Sequence, residues 1–398
     1  AHNLPRRNAF KSHHFSLEHQ FSSETLHFCN IKRKTMGDNT VRIGLLGCIR
    51  FASKFVRTVT QSSNAVIIAI SDPSIETANT FAAANNLSPE TVAVYGSYEE
   101  LLDDPRVDAV YLTMPVTQRA KWAVTAAEKK KHLLVEKPPA QNAAEIDKIV
   151  EACASNGVQF MDGTIWLHHK RTVMIRETMF DSGLLGDVRH MYSTMTTLVP
   201  EQVLERLTKE AMGLAGAIGE LGWYPIGAAL WAMSYQMPVS VKALPSSVAT
   251  NSVGTILSCS ASLQFGSTET ATAIVHCSFL SQLSTDLAIS GSKGSTQMND
   301  YVIPYKEDTA WFEYTSGAKF ADLHIGWNMM PERVTVDCSG NEESQEATML
   351  REFVRLVQGI KRGDSEADPR WPEISRKTQL VVDAVKKSVD IGCEVVYL

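Results

Sequence analysis

The stretch "VRIGLLGCIRFASKF", Val41 to Phe55, puts Gly47 directly after an apolar run of strand length and a small residue, Ala52, shortly beyond it. Dinucleotide folds use such a turn. A first Gly makes the bend, a second lets backbone approach the pyrophosphate, and a small third residue packs helix on strand. Gly47, with Gly44 upstream of it, fits the first role and Ala52 the third. Ile49 stands at the second, where a β-branched side chain crowds the phosphate and resists φ > 0. Arg50 beside it offers a compensating phosphate partner. These residues admit a cofactor loop or an ordinary strand-to-helix turn. The next strand ends in Ser71-Asp72, at the spacing where an acidic residue receives ribose hydroxyls, and an Asp there repels a 2′-phosphate and favours NAD over NADP. Asp72-Pro73 equally suits a turn that caps the following helix.

From Val41 onward, apolar runs of strand length alternate with helical patterns, which implies parallel βαβ units. "VRIGLLG", "AVIIAISD", "AVYLTMP", "KHLLVEKPP" and "VQFMDGT" read as strands; "IETANTFAAANN", "QRAKWAVTAAEKKK" and "AAEIDKIVEACASNG" read as helices. The sheet is doubly wound. After about Thr164 the rhythm changes: the helix "GELGWYPIGAALWAM" precedes the strand-like segments "VSVKALPSSV", "TILSCSASLQF", "TATAIVHCSFL", "STDLAISG" and "TQMNDYVIPY". Polar and apolar residues alternate there, which predicts a large antiparallel sheet open on one face. Two helices, "ATMLREFVRLVQGIK" and "SRKTQLVVDAVKKSV", close the chain. The expected fold class is α/β, with a dinucleotide-binding domain over 39–163 and an α+β domain over 164–398.

The chain of 398 residues has 44% hydrophobic and 21% charged residues and a net charge of -6, a balance that points to neither nucleic acid nor an anionic membrane. The Lys129-Lys130-Lys131 run reads as a solvated helix end. Seven scattered cysteines without C-x-x-C spacing fit a reduced compartment and no metal centre. No apolar run approaches the roughly 20 residues of a membrane helix, so a cytoplasmic protein is expected. Residues 1–38 form a basic, histidine-rich segment without apolar periodicity; organelle targeting is one reading, but Met36 reads as the natural start and the segment as a disordered extension.

The motifs "GSYEELLDDPRVDAVYL", "VEKPPA", "VQFMDGTIW", "GELGWY", "VIPYKE" and "WPEISRKTQLVVDAVKKSV" together resemble the Gfo/Idh/MocA oxidoreductases, and their plant branch in particular. The resemblance implies a Rossmann domain, a substrate-binding open sheet that forms homodimers, and hydride transfer between a nicotinamide cofactor, NAD or NADP, and a small molecule. Carried over residue by residue, it makes Lys137 the lysine beside substrate and nicotinamide. Glu220 takes the acid position and Tyr224, four residues on, that of the acid/base tyrosine; its ordinary pKa near 10 would need the charge of Lys137 to act at neutral pH. His168 is a second candidate. Cys48, Met114, Pro115 and Glu136 join the cofactor contacts, and Arg119, Trp166 and Trp223 face substrate. Arg119, with Arg50 and Lys170, would add positive charge at the cleft mouth. The chain departs from the family at Ile49, at Arg119 where a His is usual, at Glu220 where an Asp is usual, and at a second Pro, Pro139. These departures leave open a non-redox cyclase or lyase, or a dinucleotide-bound sensor.

Overall fold

Six strands of strongly apolar sequence pair in parallel: β1 (Val41–Leu46), β2 (Ala65–Ser71), β3 (Ala93–Tyr95), β4 (Ala109–Leu112), β5 (His132–Val135) and β6 (Phe160–Asp162). Their order is β3-β2-β1-β4-β5-β6. Nearly every residue of β1, β2, β4 and β5 is buried, as a sheet covered on both faces requires. The computed structural model describes residues 40–210, 215–266, 271–322, 325–340 and 344–398; the expected N-terminal extension over 1–38 lies outside them. Helices α1 (Ala52–Gln61), α2 (Ile75–Ala84), α3 (Tyr98–Asp103), α4 (Val116–Glu128) and α5 (Ala143–Asn156) join the strands. Because winding reverses at β1, a crevice opens past the carboxyl ends of β1 and β4, where open α/β sheets take their ligands.

The short helices α6 (Lys170–Ile175), α7 (Glu201–Glu210), α8 (Gly216–Glu220) and α9 (Trp223–Ala232) lead into and through a second sheet. Its strands are β7 (Val188–Thr196), β8 (Ser240–Ala243), β9 (Ala249–Thr250), β10 (Ile256–Phe265), β11 (Ala271–Ser278), β12 (Leu287–Gly291), β13 (Gly294–Met298), β14 (Thr309–Ser316), β15 (Glu332–Asp337) and β16 (Val396–Tyr397). Pairing is antiparallel except where β11 lies parallel to β7. Burial alternates along β10 and β11, so one face packs on α9 and the second half of α11 (Arg370–Asp390), and the other stays open. Strands β14 and β15, absent from the sequence reading, extend the sheet at one edge.

Helix α10 (Gln345–Arg362), expected to belong with the second domain, packs Met349, Leu350, Phe353 and Val357 into the core of β1 and α1. Position in the chain does not decide which sheet a helix covers. The lysine run also differs from expectation: Lys129 and Lys130 are exposed, but Lys131 is buried and donates to the carbonyls of Asp104 and Val107 at 2.8 and 2.9 Å. All six cysteines among the described residues are buried thiols. No described helix is long and apolar enough to cross a membrane.

Candidate active site

Gly47 closes the turn after β1 at φ +97°, and a Cβ there would lie 2.9 Å from both Met114 N and Thr113 Oγ1. The ends of β1 and β4 therefore touch through backbone, a packing only glycine permits. Thr113 secures the contact by donating to Gly47 O at 2.5 Å. Asp72 straps the loop to the end of β2: one oxygen accepts the Cys48 N–H at 3.2 Å and the other the Ser74 N–H at 3.0 Å. The turn at Asp72-Pro73 is thus formed, and the carboxylate also holds the loop. Helices α2, α3 and α5 each carry a side-chain cap, from Ser74, Ser97 and Asn142. Helix α1 has no side-chain cap and no acid in its first turn. Among the described residues, no acceptor pairs with the amides of Ile49, Arg50 and Phe51. Such an uncapped N-terminus suits a pyrophosphate.

Ile49 meets neither a strained backbone nor open solvent alone. It lacks positive φ and packs, half-buried, on the core formed by β1, α1 and α10. Gly44 lies inside β1, where its bare face admits Leu101 and Val107, so it serves packing and is remote from the turn. Cys48 is buried and its thiol is pushed up to about 12 by that burial, with the Asp72 charge adding to it. Met114 is fully buried, Pro115 caps α4, and Arg50 is exposed.

One strand over, Glu136, Lys137 and Pro138 follow β5, the Lys137–Pro138 bond being cis. Glu136 is fixed by the Tyr111 hydroxyl, which donates at 2.6 Å to one carboxylate oxygen, and by the Lys137 N–H, which donates at 2.8 Å to the other. Lys137 reaches across to the end of α8: Nζ donates to Glu220 O at 2.9 Å and to its carboxylate at 3.3 Å. It also lies 5.0 Å over the Tyr224 ring. Helices α8 and α9 meet at Gly222, where a Cβ would fall 2.5 Å from Ile218 O, so the chain turns tightly enough to present both residues to one lysine. Trp223 pins this corner by donating Nε1 to Thr164 Oγ1 at 2.9 Å.

Charge in this cluster runs partly against expectation. Burial disfavours the Lys137 ammonium, but its attraction to the oxygens of Tyr224, Glu220 and Glu136 outweighs that, and Lys137 is held charged above its ordinary range. Tyr224 is 9% exposed, and burial raises its hydroxyl more than Lys137 lowers it. The Tyr224 hydroxyl therefore stays protonated at neutral pH.

Five residues expected at the site or its mouth sit elsewhere. Arg119 is buried beneath the crevice and spends its guanidinium on backbone carbonyls, those of Met114 at 2.8 Å, Glu136 at 3.1 Å and Pro138 at 2.6 Å. Trp166 is packed edge-on between Trp231 and Tyr301, and Trp223 is likewise core, so neither offers a face to substrate. His168 stacks on Trp371 at 4.7 Å, and burial pushes its imidazole down to about 4. Lys170 reaches Asp337 O at 3.4 Å on the outer surface. Tyr111 and Thr113 were missed, although a phenol inside the apolar strand "AVYL" demands a buried partner and is the signal that could have found the first.

The model of the "Oxidoreductase family, NAD-binding Rossmann fold" matches residues 41–164, and that of the "GFO/IDH/MocA C-terminal domain" matches 176–297. Between them they span more than half of the chain. The chain belongs to the GFO/IDH/MocA family. A dTDP-3,4-didehydro-2,6-dideoxy-alpha-D-glucose 3-reductase of Saccharopolyspora spinosa is 30% identical to it over 190 residues, 48% of this chain and 55% of that protein. A trans-1,2-dihydrobenzene-1,2-diol dehydrogenase of Xenopus laevis is 25% identical over 239 residues, 59% of this chain and 68% of that protein. The solved aldose-aldose oxidoreductase of Caulobacter crescentus shares the fold, with a TM-score of 0.74 at 19% identity, covering 90% of this chain and 100% of that one. Alignment to the Saccharopolyspora spinosa reductase spans little more than half of that relative's length. The first of the two matched models covers the parallel sheet and the loops that border the crevice, a Rossmann fold of the NAD-binding kind.

Proposed function

We propose that this protein transfers a hydride between a nicotinamide dinucleotide and a secondary alcohol or ketone of a sugar-like or cyclic small molecule, a metabolite of the plant kind on the motif resemblance. The observation that carries the reading is the Lys137 ammonium at the strand-end crevice, anchored by Glu220 and seated over Tyr224. Relatives named for a keto-sugar and for a cyclic diol support the substrate class.

The dinucleotide would lie along the Gly47 turn and the uncapped start of α1, with Asp72 near its ribose; when bound, it supplies the hydride acceptor or donor at nicotinamide C4. The chain's own residues handle the proton. Lys137 and Tyr224 both carry protons at neutral pH, so both can donate to a carbonyl oxygen and stabilise the negative charge that develops there as the carbonyl carbon receives hydride. The oxygen takes its proton from Tyr224, and the adjacent Lys137 charge stabilises the phenolate until water reprotonates it. Because the resting site is loaded with donors, it is ready to accept a ketone together with a reduced dinucleotide. Asp72 supports NAD over NADP, since a 2′-phosphate would meet a carboxylate already fixed by two amides. The open sheet face, with Tyr192 40% exposed on β7, supports pairing with a second copy.

The test is titration of the protein with NADH and with NADPH by fluorescence or calorimetry, followed by absorbance assays on keto-sugars and cyclic ketones. Saturable binding of NADH and dinucleotide oxidation by a ketone are expected. No binding of either dinucleotide at millimolar concentration would sink the proposal.

A further inference from the structure

Arg119 has the chemistry of a brace between two loops. Its Nη1 donates to Glu136 O at 3.1 Å and to Pro138 O at 2.6 Å, the carbonyls on either side of Lys137, while Nε donates to Met114 O at 2.8 Å. One planar guanidinium thereby ties the segment that carries the lysine to the end of β4, where the Gly47 turn also rests. The guanidinium is buried and its described partners are all main-chain oxygens. No other side chain can make these contacts. An imidazole has two nitrogens pointing apart, and an ammonium has one nitrogen; only the arginine fork spreads its donors across two loops from one rigid plane.

Holding both flanking carbonyls fixes the backbone at Lys137 and hence the root of its side chain. Nζ must then span to Glu220 on another element, a contact that fails if the root shifts by an ångström or so. We infer that Arg119 is a positioning residue that sets Lys137 against Glu220 and Tyr224 by gripping the backbone on both sides of it. The inference deepens the proposed hydride-transfer reading and takes the same lysine as its target.

The experiment observes the lysine directly. In protein labelled with 15N-lysine, a buried, hydrogen-bonded ammonium exchanges slowly enough to give a side-chain NMR signal, assigned here by its loss in Lys137→Arg. Arg119→Ala is expected to lose this signal while NADH affinity falls by no more than about threefold. Low-millimolar guanidinium, entering the space left by the side chain, is expected to restore the signal, and ammonium at the same concentration to leave it lost. A purely structural role would lower the melting temperature without touching the Lys137 signal or its rescue, and that outcome overturns the inference. If Arg119→Ala does not fold, Arg119→Lys decides: it keeps the charge and loses the fork, so the signal should broaden or shift, and an unchanged signal overturns the inference. A wild-type protein that binds neither NADH nor NADPH would defeat the hydride-transfer reading and leave this comparison intact.

Discussion

At the scale of single residues, the proposed reaction divides the site into groups that act on the substrate oxygen and groups that hold those in place. Lys137 belongs to the first. Its removal in Lys137→Ala should lower the rate of ketone reduction by about 100-fold or more and leave NADH binding within a few-fold, measured by steady-state kinetics beside a fluorescence titration. Tyr224 should behave likewise in Tyr224→Phe. Its pH dependence follows from the direction of its shift: burial first, against the pull of Lys137, holds the hydroxyl protonated beyond the ordinary tyrosine range. The rate of reduction should therefore stay flat through neutral pH and fall only above about pH 10, the ordinary value for the group. An inflection near neutrality would instead require a histidine, and His168 is disqualified by its stacking on Trp371 and its depressed pKa. His168→Phe, which keeps the stack, should leave turnover within about twofold. Tyr111 belongs to the holding groups, since its hydroxyl and the Lys137 amide fix the two oxygens of Glu136.

At the scale of elements, the β1-to-α1 turn depends on Gly47 and not on Ile49. Gly47→Ala would place a Cβ 2.9 Å from Met114 N at a φ of +97°. Strain of about 1–3 kcal/mol, with the clash in addition, should lower the melting temperature and abolish dinucleotide binding. Ile49→Gly looks on a motif basis like the repair of a fingerprint, but Ile49 has no positive φ to relieve and packs on a core. The expected result is a loss of about 1–2 kcal/mol in denaturant unfolding with no gain in NADH affinity. A tightening of NADH binding in Ile49→Gly would show that the isoleucine does obstruct the pyrophosphate.

At the scale of the whole molecule, three buried histidines couple the fold to pH. Burial pushes His132, His168 and His169 down to about 4. The unfolded chain, with ordinary histidines near 6.5, binds these protons first, so stability is full above about pH 6.5 and falls as pH drops toward 4. Asp162 and Asp383, raised by burial, act in the opposite sense, because the folded state takes up their protons more readily than the unfolded chain. Thermal melts at steps from pH 7.5 to 4.5 should show a declining melting temperature, and His132→Gln should flatten part of the slope. A melting temperature constant over that range would refute the histidine account.

What the sequence alone determined was whatever rests on local pattern: the apolar runs of the parallel sheet, the alternation of β10 and β11, the bend at Gly47, and the motif that puts Lys137 at a strand end. Burial period and turn chemistry act over a few neighbours and can be read along the chain. Tertiary structure alone decided which polar side chains face ligand and which are consumed by the fold. Arg119 looked like charge at a cleft mouth until three main-chain carbonyls claimed it. Lys131, Trp166, Trp223 and His168 were likewise buried by partners distant in the chain. Tyr224 and Lys137 lie close together as the motif implied, yet the balance between burial and charge that makes the tyrosine an acid depends on everything packed around it. Desolvation is a property of the whole enclosure, and no stretch of sequence carries it.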